Sequence, residues 1–307
     1  MPNPLLMAAS RSTRTRRLIS AAPVTRGVVD RFVAGEQVDD ALAATRRLIG
    51  EGLHVSLDHL GEDTSTVGQA DAITAAYLTV LERLGDAGLA GRAEVSLKLS
   101  ALGQSLPDGD RIALEAARVI CAAAAAVGTT GSVDMEDSST VDATLTAVAA
   151  LREAFPWVGA VLQSCLRRTE ADCRDLSGPG SRIRLVKGAY AEPLSVAFPD
   201  KAQVDASYAR CLQVLMDGGG YPMVATHDPA LIARTEELAA LTSRLPSSYE
   251  FQMLYGIRVP EQHRIAASGR TMRVYVPYGD DWYGYFMRRL AERPANVAFF
   301  LRSFLSR

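Results

Sequence analysis

Eight short β-prone runs recur along this chain, separated by longer helical patterns, and that alternation restricts the possible folds more than any other feature. The runs are 54–58 (HVSLD), 94–98 (EVSLK), 131–134 (GSVD), 158–163 (VGAVLQ), 182–187 (RIRLVK), 223–227 (MVATH), 249–252 (YEFQ) and 272–276 (MRVYV). Amphipathic stretches such as 70–84, 110–126 and 228–245 lie between them, and DGGG at 217–220 stops a helix just before the sixth run. Repeated strand-then-helix units imply a parallel sheet. Eight units in roughly 250 residues fit an α/β fold of the closed (β/α)8 type. The rival, an open doubly wound sheet, calls for a glycine fingerprint after the first strand. LGED stands there instead.

Asp58, Lys98, Asp134, Gln163, Lys187, His227, Gln252 and Tyr275 lie at the C-terminal ends of the eight runs. In a barrel those ends converge on one mouth, where such folds place their chemistry. The chain of 307 residues is 48% hydrophobic and 22% charged, enough for a sizeable core. A net charge of -2 argues against a general nucleic-acid binder. Cys121, Cys165, Cys173 and Cys211 form no CxxC pair and read as buried thiols of a reducing compartment. No apolar run reaches about 18 residues, so no membrane span is expected.

At the N-terminus, residues 5–9 are apolar and Arg11, Arg14, Arg16 and Arg17 follow, the reverse of a secretory signal. An organellar transit peptide, a surface-binding helix and a solvated helix outside the main fold are all compatible with this order. The expected division is a helical arm over 1–45 and the barrel over 46–307. A cytoplasmic location is expected, with contact between the basic arm and anionic lipid at the inner face of the membrane left open.

Several motifs carry chemistry. In YVPYGDDWYGYFMRRLAE (275–292) a strand ending at Tyr275 passes through a turn at Pro277 and Gly279 into a helix beginning near Asp280 and Asp281. Tyr285, Arg288, Arg289 and Glu292 share one face of that helix. Two guanidiniums beside a phenol form a carboxylate site with an aromatic wall, and equally a solvated Arg-Arg pair. Lys98 reads as a Schiff-base lysine or as the partner of an anion. Asp134 suits orienting an arginine, acting as a base, or capping the next helix. Arg184 and Lys187 are cations that alternation cannot both place in an apolar layer. They suit phosphates or an electron-rich ring, or a salt-bridged strand edge. Gly188 permits close backbone approach to a ligand. The four histidines (His54, His59, His227 and His263) show no HxH or HExxH spacing, so no metal is expected. No GxSxG or P-loop occurs.

SLKLSALG, VDMED, VLQSCLRR, RLVKGAY, ATHDP, EFQMLYGIR and the YVPYG…RR-L-x-E stretch occur together, in an order that resembles the proline dehydrogenase family in its monofunctional bacterial form. The resemblance runs from about residue 53 to the tail. It implies a distorted (β/α)8 barrel with non-covalent FAD and oxidation of L-proline to Δ1-pyrroline-5-carboxylate, with hydride passing from C5 to flavin N5. A membrane quinone is implied as acceptor, and a separate pyrroline-5-carboxylate dehydrogenase as the consumer of product. By resemblance, Lys98, Arg288 and Arg289 bind the proline carboxylate, while Tyr190, Leu254, Tyr275 and Tyr285 wall the ring. Arg184 lies near N5 and Asp134 orients the arginines. Met135, Gln163, Lys187, Gly188, Ala189, Thr226, His227 and Gln252 match positions touching the flavin. Glu62 matches an acid that closes a gate by pairing with Arg288, and Glu292 orients an arginine. Ala191 and Asp228 depart from the family pattern, where an aromatic and an asparagine are common. A phenol at Tyr285 favours proline over hydroxyproline. The competing readings are a Schiff-base aldolase barrel using Lys98 or Lys187, and a non-catalytic proline-binding barrel.

Overall fold

Strand alternation sorts this molecule into an ionic interior and an apolar jacket. The computed structural model describes residues 29–292, with side chains through Met287. The strands are β1 (His54–His59), β2 (Ala93–Leu97), β3 (Gly131–Val133), β4 (Gly159–Gln163), β5 (Arg182–Val186), β6 (Tyr221–Ala225), β7 (Glu250–Leu254) and β8 (Thr271–Tyr278). They close in sequence order into one barrel. Neighbours pair in parallel, including β8 with β1. The helices are α1 (Val38–Gly50), α2 (Val67–Asp86), α3 (Gly109–Ala126), α4 (Val141–Arg152), α5 (Thr169–Leu176), α6 (Lys201–Asp217), α7 (Pro229–Leu241), α8 (Val259–Ala267) and α9 (Trp282–Glu292).

Along each strand one set of alternate residues is apolar and packs under the helices. Val55, Leu57, Val95, Leu97, Ile183, Leu185, Phe251 and Val274 share a core with Leu81 and Leu84 of α2, Ile120 of α3 and Leu212 of α6. The other set meets inside the barrel, where bulky branched residues are usual. Here it is charged. Arg182 reaches Glu94 on the far side at 2.7 Å, and Arg273 holds Glu250 at 2.7 and 3.0 Å. Arg184 bonds Ser56 of β1, Glu94 and Ser96 of β2, and Gln252 of β7. The sheet has no free edge, so a salt-bridged strand edge is excluded for Arg184.

The strand boundaries differ from the sequence expectation in instructive ways. β8 does not end at Tyr275. It runs on through Pro277 to Tyr278, paired with Asp58 and His59 of β1. On its other side pairing with β7 stops at Tyr275. Pro277 therefore sits where only one neighbour remains, and its missing N–H costs no ladder bond on the β7 side. The turn begins at Gly279, whose φ is +122°. β6 ends at Ala225, two residues before His227, and α7 stops at Leu241 rather than 245.

α2 to α8 each follow β1 to β7. The eighth flanking seat is taken by α1, which contacts α2, β1 and β8 and reaches α8 through Glu51 and His263, 3.6 Å apart. Residue 45, the expected boundary between arm and barrel, lies in the middle of this helix, and its neighbours Leu42 and Leu48 belong to the main core. α9, after β8, packs elsewhere. Tyr283, Tyr285, Phe286 and Met287 cluster with Val29, Phe32, Leu60 and Ile257. Leu60 and Ile257 follow β1 and β7, so α9 lies at the C-terminal mouth of the barrel. The basic stretch at 11–17 lies outside the described residues. Among the described residues no helix is long and apolar enough to cross a membrane.

Candidate active site

Six strands deliver one continuous network to the barrel mouth. Lys98, one residue past β2, donates to Asp58 of β1 at 2.6 Å and lies 3.4 Å from the Tyr275 hydroxyl of β8. Tyr275 donates to Asp134, one residue past β3, at 2.6 Å. The other Asp134 oxygen accepts from Arg184 of β5 at 2.6 Å. Arg184 also donates to Gln252 of β7 at 2.6 Å, and its guanidinium lies 5.4 Å from the centre of the Tyr275 ring. Asp134 thus ties an arginine and a phenol together. The helix-cap reading is not what its side chain does here: α4 begins after Thr140 and has no side-chain cap.

The electrostatics define what Lys98 can do. Burial works against its charge, but Asp58 and Asp134 outweigh burial and push its pKa up. A Schiff-base lysine needs the opposite, a neutral amine at working pH. Lys98 is a fixed cation. Asp58 is pushed up by burial, against the pull of Lys98, and its second oxygen has no hydrogen-bond partner among the described residues. It was a strand-end polar residue without an assigned role, and it is the closest partner of Lys98.

Below this network lies the ionic layer of Glu94, Arg182, Arg184, Glu250 and Arg273. Burial raises Glu94 and Glu250, but Arg273 and its neighbours outweigh it and hold both carboxylates below their ordinary range. Glu250 also accepts from Gln252 Nε2 at 2.5 Å, which turns the Gln252 oxygen toward Arg184. Sequence reasoning missed this layer. Its signal was present as period-two polar pairs: Glu94 and Ser96, Arg182 and Arg184, Glu250 and Gln252, Arg273 and Tyr275.

The remaining candidates form two further groups at the same end. Gln163 donates to the carbonyl oxygens of Met135 and Glu136 at 3.4 and 3.0 Å, and its own side-chain oxygen is buried without a partner among the described residues. A flavin ring carries an N–H that suits such an acceptor. Lys187 is held between Asp205 at 2.5 Å and Asp228 at 2.8 Å. Asp228 also caps α7, accepting from Ala230. Its departure from asparagine gives Lys187 a second carboxylate partner. Lys187 is thus paired with two carboxylates. Gly188 has φ +104°, and a Cβ there would stand 2.3 Å from Cys165 Sγ. The close approach it permits is to the protein itself. Ala189 and Tyr190 follow, half-buried. Thr226 is buried and accepts from the Asp228 N–H, while His227 Nε2 accepts from the Leu254 N–H at 3.0 Å. That bond leaves the ring proton of neutral His227 on Nδ1. Glu62 is half-buried in the β1–α2 loop, and its charge contributes to the raised pKa of Lys98. Tyr285 is buried on α9. The helix predicted to carry Arg288, Arg289 and Glu292 is present, but those three side chains lie outside the described residues.

The profile of the family described as proline dehydrogenase matches residues 41–302. The chain belongs to the proline dehydrogenase family. Proline dehydrogenase 1 of Bacillus subtilis is 39% identical over 283 residues, covering 92% of each chain. Proline dehydrogenase of Deinococcus radiodurans is 40% identical over 281 residues, covering 91% of this chain and 90% of its own. Among solved structures, proline utilization A from Bdellovibrio bacteriovorus inactivated by N-propargylglycine superposes with a TM-score of 0.80 at 25% identity. That match covers 87% of this chain and 33% of the larger protein. The proline dehydrogenase family and the closed barrel expected from the strand pattern therefore agree.

Proposed function

We propose that this chain is a flavin-dependent proline dehydrogenase, catalysing the first step of proline catabolism, the oxidation of L-proline to Δ1-pyrroline-5-carboxylate. The observation that carries this reading is the Lys98–Asp58–Tyr275–Asp134–Arg184 network, which holds two cations and a phenol ring at the barrel mouth beneath α9. Lys98 offers the substrate carboxylate an ammonium whose charged form Asp58 and Asp134 favour. Arg288 and Arg289, on α9, add directed guanidinium donors. Tyr190, Leu254, Tyr275 and Tyr285 are assigned to the walls around the pyrrolidine ring.

FAD, bound without a covalent bond, is the cofactor that we assign. Gln163, with its orphaned oxygen, suits the isoalloxazine edge. Met135, Lys187, Gly188, Ala189, Thr226, His227 and Gln252 are assigned to the rest of the group. The chemistry a bound flavin would supply is acceptance of the hydride from proline C5. Arg184 would set its guanidinium, held in place by Asp134 and Gln252, toward that group. Glu62 is assigned to closing the mouth with Arg288, and Glu292 to orienting a guanidinium on α9. A quinone as the final acceptor, a separate dehydrogenase for the product, and a cytoplasmic location with peripheral lipid contact through the basic arm complete the reading.

The aldolase alternative loses support because both candidate lysines are paired with carboxylates. The test is anaerobic titration of the purified yellow protein with L-proline. Bleaching of the flavin band near ~450 nm is expected. A colourless protein, or a band unmoved by proline, would sink the assignment.

A further inference from the structure

The β1–α2 loop carries Glu62 and is held down by a side chain that the reaction does not otherwise use. Glu136 follows β3 in the sequence VDMED, is buried, and points at Ser100 in the loop after β2. It accepts the Ser100 N–H at 3.0 Å and the Ser100 hydroxyl at 2.5 Å. Ser100 in turn binds the neighbouring loop. Its carbonyl accepts from the Thr64 N–H at 3.2 Å and from the Thr64 hydroxyl at 3.0 Å, and its own hydroxyl faces the Asp63 N–H at 3.4 Å. Glu136, Ser100 and Thr64 are each less than a tenth exposed. Between them Asp63 adopts φ +52°, a left-handed conformation uncommon outside glycine.

We infer that Glu136, acting through Ser100, is the positioning residue that holds residues 60–64 over the barrel mouth and thereby sets Glu62 in place. Two bonds on one side of Ser100 and three on the other join the loop after β3 to the turn beside Glu62. The charge of Glu62 contributes to the raised pKa of both Lys98 and Glu136, and Glu62 itself lies in the loop that follows β1 at the C-terminal end of the barrel. If the connection is cut, the loop has to be ordered anew each time substrate binds. The apparent affinity then falls by the fraction of molecules already ordered, while the chemical step is spared. Burial favours a neutral side chain at Glu136, so glutamine, which accepts from the Ser100 N–H and donates to its hydroxyl, keeps the connection.

The inference rests on the assignment of Glu62, so its test has a readout independent of activity. Hydrogen exchange of residues 60–66 is measured in the full-length holoenzyme for Glu136→Ala, Glu136→Gln, Thr64→Val and Glu62→Ala, beside steady-state kinetics with L-proline. Glu136→Ala should speed exchange in 60–66 by about tenfold or more, leave the β-strand amides unchanged, and raise KM by a similar factor with kcat nearly intact. Glu136→Gln should stay close to the parent in both. Thr64→Val, an isosteric change, should reproduce the exchange effect more weakly should the alanine variant fail to fold. Exchange in 60–66 at the parental rate in Glu136→Ala, or in Thr64→Val if that is the variant that folds, overturns the inference. Parental kinetics in Glu62→Ala, with fast exchange still present in Glu136→Ala, sustains the latch and removes the role given to Glu62.

Discussion

Tyr275 shows how much one atom carries at this site. Its hydroxyl donates to Asp134 while its ring lies against Arg184, so the same side chain joins the carboxylate to the guanidinium. Tyr275→Phe keeps the ring and removes the donor. Asp134 then loses one of its two close partners in a poorly solvated place, at a cost of about 1–3 kcal/mol. Urea denaturation should show that loss, and kcat/KM for proline should fall because Arg184 is no longer fixed. An unchanged midpoint with unchanged kinetics would remove Tyr275 from the network. Gly188 is the second residue-scale case. Gly188→Ala meets both a left-handed φ and the Cys165 sulfur, so a stability loss of about 1–3 kcal/mol is expected, together with weaker flavin retention on gel filtration. Adding Cys165→Ala relieves the clash but not the backbone, so recovery should be partial. Full recovery would show that the conformation itself is not strained.

At the scale of elements, the barrel was legible because strand and helix periods differ and because polar residues recur near each strand's C-terminal end. Lys98, Asp134 and Lys187 fall one residue past their strands, and Gln163 ends β4. Tyr275 and Gln252 fall inside theirs, since a strand's length depends on what its neighbours pair with. β8 outlasts its pairing with β7 and continues along β1, which no local pattern reveals. The seat of α1 and the position of α9 are likewise tertiary choices. The sequence pattern implied a helical arm ending at residue 45 and a helix after Asp281 but carried no sign of which groove each would fill. Glu94 and Glu250 were passed over for a different reason. An isolated acid in an apolar run reads as a loop or an edge until its cross-barrel arginine is seen.

Across the whole molecule, the ionic interior sets the response to acid. Glu94 and Glu250 are held below the ordinary 4.5 because their arginines outweigh burial. Groups depressed in the folded state stabilise it fully above the unfolded value and lose that contribution as pH falls through the folded values. Thermal midpoints should therefore be flat near neutrality and fall once pH drops below about 4.5. Glu94→Gln should cost about 3–5 kcal/mol at pH 7, because Arg182, Arg184 and Arg273 lose a shared anion, and should make the acid-side decline shallower. A variant with the parental acid profile would show that the layer does not govern acid stability.

The seat taken by α1 has a consequence for how such proteins diversify. Among the described residues the sheet and its ring of helices are complete before Trp282, so the final stretch is laid on a scaffold already finished. On the proposed reading, the residues that α9 adds to the substrate site are then written apart from those that close the barrel. The last passage is free to be rewritten, by selection or by grafting, while the barrel beneath it stays as it is.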